Sequence, residues 1–258
     1  MPYADLHVHT TRSDGGVELE AVPEAARRND VEVVAVTDHD RRQPFDEPVV
    51  ERDGVTIVHG IELRVETGDG LRVDLLGYGL EPTPDLEAML EGIQTNRRER
   101  GRAIVDCVED RLGVDLGVTV GDGFGRPHVA RAVADHGDTD YDYDGTFTEL
   151  IGGGGPCFVP REIPSFERGQ RLLSEAATIV SLAHPLRYPN PERALALTAD
   201  LDAVELHYPY GAPVDLEPVE RAIETNALAV TGGSDAHDDR LGVAGLTAEE
   251  YQDLEIPA

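Results

Sequence analysis

Short apolar runs of strand length recur along this chain, and most are followed at once by residues able to bind a metal. Residues 3–7 lead into His7-Val8-His9. Residues 31–37 precede Asp38-His39-Asp40, and 55–58 precede His59-Gly60-Ile61-Glu62. Residues 71–76 carry Asp74. Residues 179–183 precede His184-Pro185, 203–206 precede His207, and 227–231 precede Gly232-Gly233-Ser234-Asp235-Ala236-His237. Stretches of helical period fall between them, at 18–29, 165–177 and 216–225. Strands alternating with helices predict a largely parallel sheet. About seven strands in this order suit a barrel better than an open sheet. The ligand-type residues keep recurring at strand C-terminal ends, the face on which barrel sites are built.

His7 and His9 lie two apart, so in a strand both imidazoles share one face. Asp14 follows in a Ser13-Asp14-Gly15 turn and can return a carboxylate to the same place. Alone, this pattern fits a buried strand with incidental histidines as well as it fits a metal site. The later stretches give it force. The candidate ligands are His7, His9, Asp14, His39, Glu62, Asp74, His184, Asp235 and His237. Imidazoles and carboxylates without thiolates suit zinc, manganese or iron. This set exceeds what one tetrahedral ion needs, so two to three divalent ions are expected, with carboxylates bridging them. Ions about 3.5–4 Å apart can polarise a phosphoryl oxygen and generate hydroxide from water.

The rhythm breaks after Pro82. Residues 85–112 are rich in Arg and Glu with helical spacing, 127–136 read as a short helix, and Gly152-Gly153-Gly154-Gly155-Pro156 ends the stretch. That glycine run lacks a following Lys and reads as a hinge, not a phosphate cradle. Residues 1–82 and 158–258 are therefore expected to form the barrel, and 83–157 a helical insertion.

Charge narrows the partners. The 51 acidic residues outnumber 22 basic ones, giving a net charge of -29, and every basic residue is Arg. The acidic residues are spread along the chain, which argues for a solvated folded surface over a disordered arm. Such a surface is read as halophilic, adapted to high salt that screens self-repulsion. It excludes an extended nucleic-acid face but allows a metal-lined pocket for a phosphate. No run reaches transmembrane length, and no basic, apolar leader opens the chain, so a cytoplasmic protein is expected. Cys107 and Cys157 are too far apart in sequence to read as a disulfide framework or thiolate site, and Cys107 is expected to be core. The sequence sets no oligomeric state.

Taken together, Asp5-Leu6-His7-Val8-His9-Thr10 with Ser13-Asp14-Gly15, Thr37-Asp38-His39, Gly60-Ile61-Glu62, Ala183-His184-Pro185 and Gly233-Ser234-Asp235-Ala236-His237 resemble the polymerase and histidinol phosphatase (PHP) superfamily. The resemblance runs from Asp5 to His237 with all motifs in order. It implies a distorted (β/α)7 TIM-like barrel with a trinuclear metal site. His7, His9, Glu62 and Asp235 match ligands of a first metal. Glu62, His184 and Asp74 match a second, and Asp14, His39 and His237 a third. Several PHP proteins have His where this chain has Asp74, a harder and negatively charged ligand.

Gly125-Arg126-Pro127-His128-Val129-Ala130-Arg131 and Phe158-Val159-Pro160-Arg161 look like the stand-alone PHP phosphoesterases with a small helical cap. That branch implies hydrolysis of 3′,5′-nucleoside bisphosphates or short RNA 5′ ends by hydroxide formed at the metals. Arg126 and His128 would hold a phosphate, and Arg187 is a further candidate. Asp38 is a candidate proton carrier. Partners would be a small phosphorylated substrate or a short oligonucleotide. The alternatives are a histidinol-phosphate phosphatase and a non-catalytic metal-binding PHP module. His59 is expected to be structural, His136 solvated, and His207 at a strand end beside the pocket.

Overall fold

The computed structural model describes residues 2–256. The chain divides into two compact units, one of Met1–Leu90 with Ile163–Ala258 and one of Glu91–Glu162. In the larger unit eight strands form one sheet. They are β1 (Ala4–Val8), β2 (Val33–Val36), β3 (Val49–Arg52), β4 (Val55–Glu66), β5 (Arg72–Tyr78), β6 (Ile179–Leu182), β7 (Ala203–His207) and β8 (Ala229–Gly232). Their order is β1-β2-β4-β5-β6-β7-β8, with β3 paired to β4. Past β8 the chain comes back to β1, where Ala236 bridges Val8 and Leu246 bridges Ala4. The sheet is thus a curled, distorted α/β barrel, as the alternating pattern predicts.

Two strands depart from the parallel expectation. β3 and β4 form an antiparallel hairpin in which Arg52 faces Val55. Asp53 and Gly54 between them both have positive φ, 52° and 77°, which a two-residue type I′ turn requires. β5 runs antiparallel to both β4 and β6. The reversal corrects the expected strand ends in two places. β4 does not stop at residue 58 but continues to Glu66, so Glu62 lies inside a strand. Asp74 lies near the beginning of β5, not its end, and meets the other ligands because that strand is reversed.

Period-two alternation builds the core on two faces of β2. Val33 and Ala35 join Leu6, Val58, Leu76 and Tyr78 in one buried cluster. Val34 and Val36 join Ile57 in another, against Ala25 and Ala26 of the helix Val22–Arg28. Burying each such aliphatic side chain stabilises the fold by about 1.5–3 kcal/mol. The ligand-bearing ends of β1 and β2 are held by this packing.

The smaller unit has its own core. Ile104, Val105 and Val108 of the helix Pro84–Leu112 pack with Phe124, Val129, Val133, Leu150 and Ile151. That helix begins in the larger unit and ends in the smaller one, so the change of composition near residue 83 marks the helix start and the unit itself spans 91–162. Cys107 and Cys157 form a disulfide, against the reading that two cysteines so far apart in sequence make no disulfide framework. Sequence spacing hides this. The turn after Ile151 folds back, with the Cys157 N–H donating to the Leu150 carbonyl at 2.9 Å, and brings the two Cα atoms to 5.6 Å. Among the described residues no helix is long and apolar enough to cross a membrane.

Candidate metal centre

The centre starts at the end of β1. His7 is fully buried, and its Nδ1 hydrogen-bonds Glu205 Oε1 of β7 at 3.0 Å. That bond leaves Nε2 facing inward, 3.6 Å from Glu62 Oε1 and 3.5 Å from Asp235 Oδ1. His9 Nε2 lies 3.4 Å from Glu62 Oε2 and 3.2 Å from the same Asp235 oxygen. The segment after β8 passes so close to β1 that a Cβ on Gly233 would stand 2.4 Å from the His7 backbone nitrogen. Only glycine fits there, and Asp235 then turns inward from a left-handed conformation, φ 51°.

Glu62 is the hub. His39 Nδ1 is 2.7 Å from its Oε2 and His184 Nε2 is 3.1 Å from its Oε1. His184 sits at φ 30°, a conformation that costs about 1–3 kcal/mol for a residue other than glycine. Its backbone N–H donates to Glu205 Oε2 at 2.7 Å, which helps hold it there. Asp14 joins from the other side, 3.7 Å from His39 Nε2 and 3.4 Å from His237 Nε2. All nine expected ligands thus converge. Their donor atoms fall into groups within 4.8 Å of one another: His9, Asp14, His39 and His237; His7, His9 and Glu62; His7, His184 and Asp235; and Glu62, Asp74 and His184.

Burial alone would make the carboxylates hold their protons. Here the surrounding imidazoles win, and Glu62, Asp14 and Asp235 are held below the usual carboxylate range. The reverse holds for the bases. Burial pushes His39 down, but Glu62 and Asp14 outweigh it and raise it to about 9. His7 is raised well above its ordinary value against the same burial, by Glu205 and Glu62. His9 goes the other way, lowered by burial despite its contact with Asp235. Several buried donors have no hydrogen-bond partner: His7 Nε2, both ring nitrogens of His9, and Asp14 Oδ1. A buried polar atom left so costs about 1–3 kcal/mol. Divalent cations at this donor set would take up His7 Nε2, one ring nitrogen of His9 and Asp14 Oδ1, so the residues present fit a multinuclear metal site.

Other polar residues hold the ligands in place. Asp5 accepts hydrogen bonds from the backbone N–H groups of His7, Ser234 and Gly242 at 3.3, 2.9 and 2.7 Å, and from Ser234 Oγ at 2.5 Å. Asp38 accepts from the Thr10 N–H, Thr10 Oγ1, Ser13 Oγ and Gln43 Nε2 at 2.5–2.9 Å. It anchors the loop that carries Asp14. Glu205 and Arg64 went unread in the sequence. A lone Glu inside the apolar run Ala203-Val204-Glu205-Leu206 is the signal that marks the first. The second depends on strand register: Arg64 lies opposite Asp74 in the β4–β5 pair.

A cavity of about 330 Å³ opens on the centre, lined by Asp14, His39, Glu62, Asp74, His184, Asp235 and His237 with Arg64, Arg187 and Tyr188. Arg187 Nη1 donates to Asp235 Oδ2 at 2.9 Å and to Tyr208 Oη at 2.8 Å. His207 instead pairs with Glu250 at 3.0 Å and lines a separate, more apolar groove. His59 is buried, accepts the Gln43 N–H at 3.0 Å and meets the Phe45 ring edge-on. Arg126 and His128 belong to the smaller unit. There the Arg126 guanidinium lies over Phe147 and Phe158, 5.6 and 5.9 Å from the ring centres. His128 accepts the Gly125 N–H at 3.1 Å and stacks on Phe124.

Known proteins resemble this chain in sequence or in fold. A 5′-3′ exoribonuclease of Haemophilus influenzae is 29% identical over 192 residues, covering 71% of this chain and 69% of the relative. A 3′,5′-nucleoside bisphosphate phosphatase of Chromobacterium violaceum is 28% identical over 200 residues, 73% of this chain and 68% of the relative. A solved structure from Bifidobacterium adolescentis, regarded as a metal-dependent phosphoesterase, superposes with a TM-score of 0.76 at 22% identity, covering 97% of this chain and 94% of its own. The PHP domain family matches residues 5–143, which carry six of the nine converging ligands in order, from His7 to Asp74. With more than half its length matched and the whole candidate ligand set gathered at one end of a curled barrel, the chain belongs to the PHP domain family.

Proposed function

We propose that this chain hydrolyses terminal phosphates of nucleotides, with 3′,5′-nucleoside bisphosphates or short RNA 5′ ends as substrates. The observation that carries the reading is the pairing of one cavity's contents: a cluster of imidazoles and carboxylates, and two arginines, in an otherwise acidic protein. Arginine in such a place suits phosphate, which its planar fork can grip with two hydrogen bonds. Relatives named for nucleoside bisphosphate and RNA chemistry point the same way.

Two to three manganese, zinc or iron ions fit the donor set, and when bound they supply Lewis acidity and a hydroxide nucleophile. His7, His9, Glu62 and Asp235 would hold one ion, and Asp14, His39 and His237 another. Glu62 offers one oxygen toward His7 and His184 and the other toward His9 and His39, so its carboxylate can span neighbouring ions. Arg187 is braced by Asp235 and Tyr208 and orients the phosphate being cleaved. Arg126 and His128 carry over as donors to a second phosphate.

A substrate panel tests this. It comprises 3′,5′-adenosine bisphosphate, a 5′-phosphorylated trinucleotide RNA, histidinol phosphate and p-nitrophenyl phosphate, each with manganese, zinc or iron at molar KCl. The bisphosphate or the RNA should give the highest kcat/KM. Arg187→Ala should cost roughly ten- to a hundredfold in kcat/KM, the loss of a charge-assisted hydrogen bond of about 1.5–3 kcal/mol. Histidinol phosphate outperforming both nucleotides would replace this reading with the phosphatase alternative.

A further inference from the structure

We propose that the guanidinium of Arg64 closes the Glu62–Asp74–His184 group to metal, so that the loaded protein holds two ions and Arg64 supplies the remaining positive charge at the cavity. The inference rests on the metal-phosphoesterase reading and deepens it. Asp74 is fully buried, and each of its carboxylate oxygens already accepts a bond from Arg64. Nε reaches Oδ1 at 2.7 Å and Nη2 reaches Oδ2 at 2.5 Å. This is the two-bond fork that guanidinium and carboxylate form best. An ion at that group would need one of those oxygens and would meet a guanidinium beside it.

His7, His9, Asp14, Glu62 and His184 each present a buried polar atom with no hydrogen-bond partner, whereas neither oxygen of Asp74 is left so, because Arg64 occupies both. The pair is also built into the sheet. Arg64 and Asp74 are directly opposed in the antiparallel β4–β5 ladder, so their side chains emerge together on one face. The Arg64 backbone N–H donates to Asp40 Oδ1 at 3.1 Å, and the Asp74 N–H donates to Tyr188 Oη at 2.8 Å, fixing both residues. Asp74, Glu62 and Asp40 outweigh burial and raise the guanidinium pKa further, so it stays charged. The Arg64 side chain remains 40% exposed and lines the same cavity as the ligands. His184, with Nε2 at 3.1 Å from Glu62 Oε1, then serves to position Glu62.

The test counts metal directly. Full-length protein is loaded with excess Mn²⁺, freed of unbound ion, and measured for manganese per chain by inductively coupled plasma mass spectrometry. Wild type should hold two. Arg64→Met removes the fork while keeping the apolar stem, frees Asp74, and should raise the count to three. Asp74→Asn should leave two ions with unchanged affinity, because Asp74 ligates neither. This variant decides the matter if Arg64→Met does not fold by circular dichroism. Three ions in wild type, two in a folded Arg64→Met, or an ion lost in Asp74→Asn would each overturn the proposal while leaving the metal-phosphoesterase reading intact. Fewer than two ions in wild type would bring down that reading and this proposal with it.

Discussion

One carboxylate, Glu205, fixes two ligands at once: its Oε1 lies 3.0 Å from His7 Nδ1, and its Oε2 accepts the His184 backbone N–H at 2.7 Å. The first bond sets which ring nitrogen of His7 faces the centre. The second holds His184 in its left-handed conformation. Removing such a support typically weakens metal binding by about 10–100-fold. Glu205→Gln should therefore release manganese to a chelator at concentrations that leave wild type loaded, with fold and thermal midpoint little changed. Equal chelator resistance in the two proteins would show that Glu205 is a packing residue only.

Glu62 is predicted to be the least replaceable ligand, since it contacts His7, His9, His39 and His184. Glu62→Gln removes the one charge shared by these imidazoles. It should lose at least one ion per chain and reduce phosphate release by about a hundredfold or more, a barrier change of several kcal/mol. The double change His7→Ala with His9→Ala should do the same. A folded Glu62→Gln that keeps its ions and its rate would remove the centre as drawn here.

What the sequence made legible divides along a physical line. Most of the candidate ligands were readable because they sit in or just after an apolar run, where an ionisable residue needs a partner; Asp14 was readable only from the Ser13-Asp14-Gly15 turn that follows His7 and His9. The barrel was readable from the alternation of periods two and 3.6. The reversal of β5 was not, because a strand's direction leaves no mark in its own composition. That reversal hid Arg64, whose partner is set by register across β4 and β5. The Asp53-Gly54 turn was an available signal for the missed β3–β4 hairpin. The Cys107–Cys157 bond was unreadable because it depends on how a helix and a distant turn meet.

The disulfide gives a third expectation. It joins residues 50 apart, both within the smaller unit. Closing a loop of that length restricts the unfolded chain and in the chain-entropy account stabilises by up to about 4 kcal/mol. Reduction with dithiothreitol, or Cys107→Ser with Cys157→Ser, should lower the denaturant midpoint of that unit while the metal count stays the same. No shift in midpoint on reduction would mean the bond adds nothing to stability.

His59 supplies a pH signature away from the ligands. Burial, and then the nearby Arg42, hold its pKa at about 4, below the ordinary 6.5. Below pH 6.5 the unfolded chain takes up this proton and the folded chain does not. Stability is therefore lost as pH falls from 6.5 toward 4, by about 3 kcal/mol for this one group. Urea unfolding in chelator at pH 7 and 4.5 should show that loss in wild type. In His59→Leu the pH dependence should be shallower by about that amount. Parallel curves for the two proteins would show that His59 is not held neutral.

The surface charge makes the last prediction, and two effects oppose each other in it. Low salt strengthens exposed ion pairs such as Arg171–Glu175 and Arg221–Glu217. Each of these is worth only about 0–1 kcal/mol. Low salt also unscreens the repulsion among acidic side chains, since the Debye length grows from about 3 Å at 1 M to about 30 Å at 0.01 M. With 51 acidic residues against 22 basic ones, pairing every Arg would still leave 29 negative charges without a partner. Repulsion should win. Thermal unfolding measured from 0.05 to 3 M KCl should give a midpoint that rises with salt. Sodium perchlorate, which screens equally but favours unfolded chains, should give a smaller rise. A midpoint equal or higher at 0.05 M KCl would mean that the acidic surface is merely solvated and carries no adaptation to high salt.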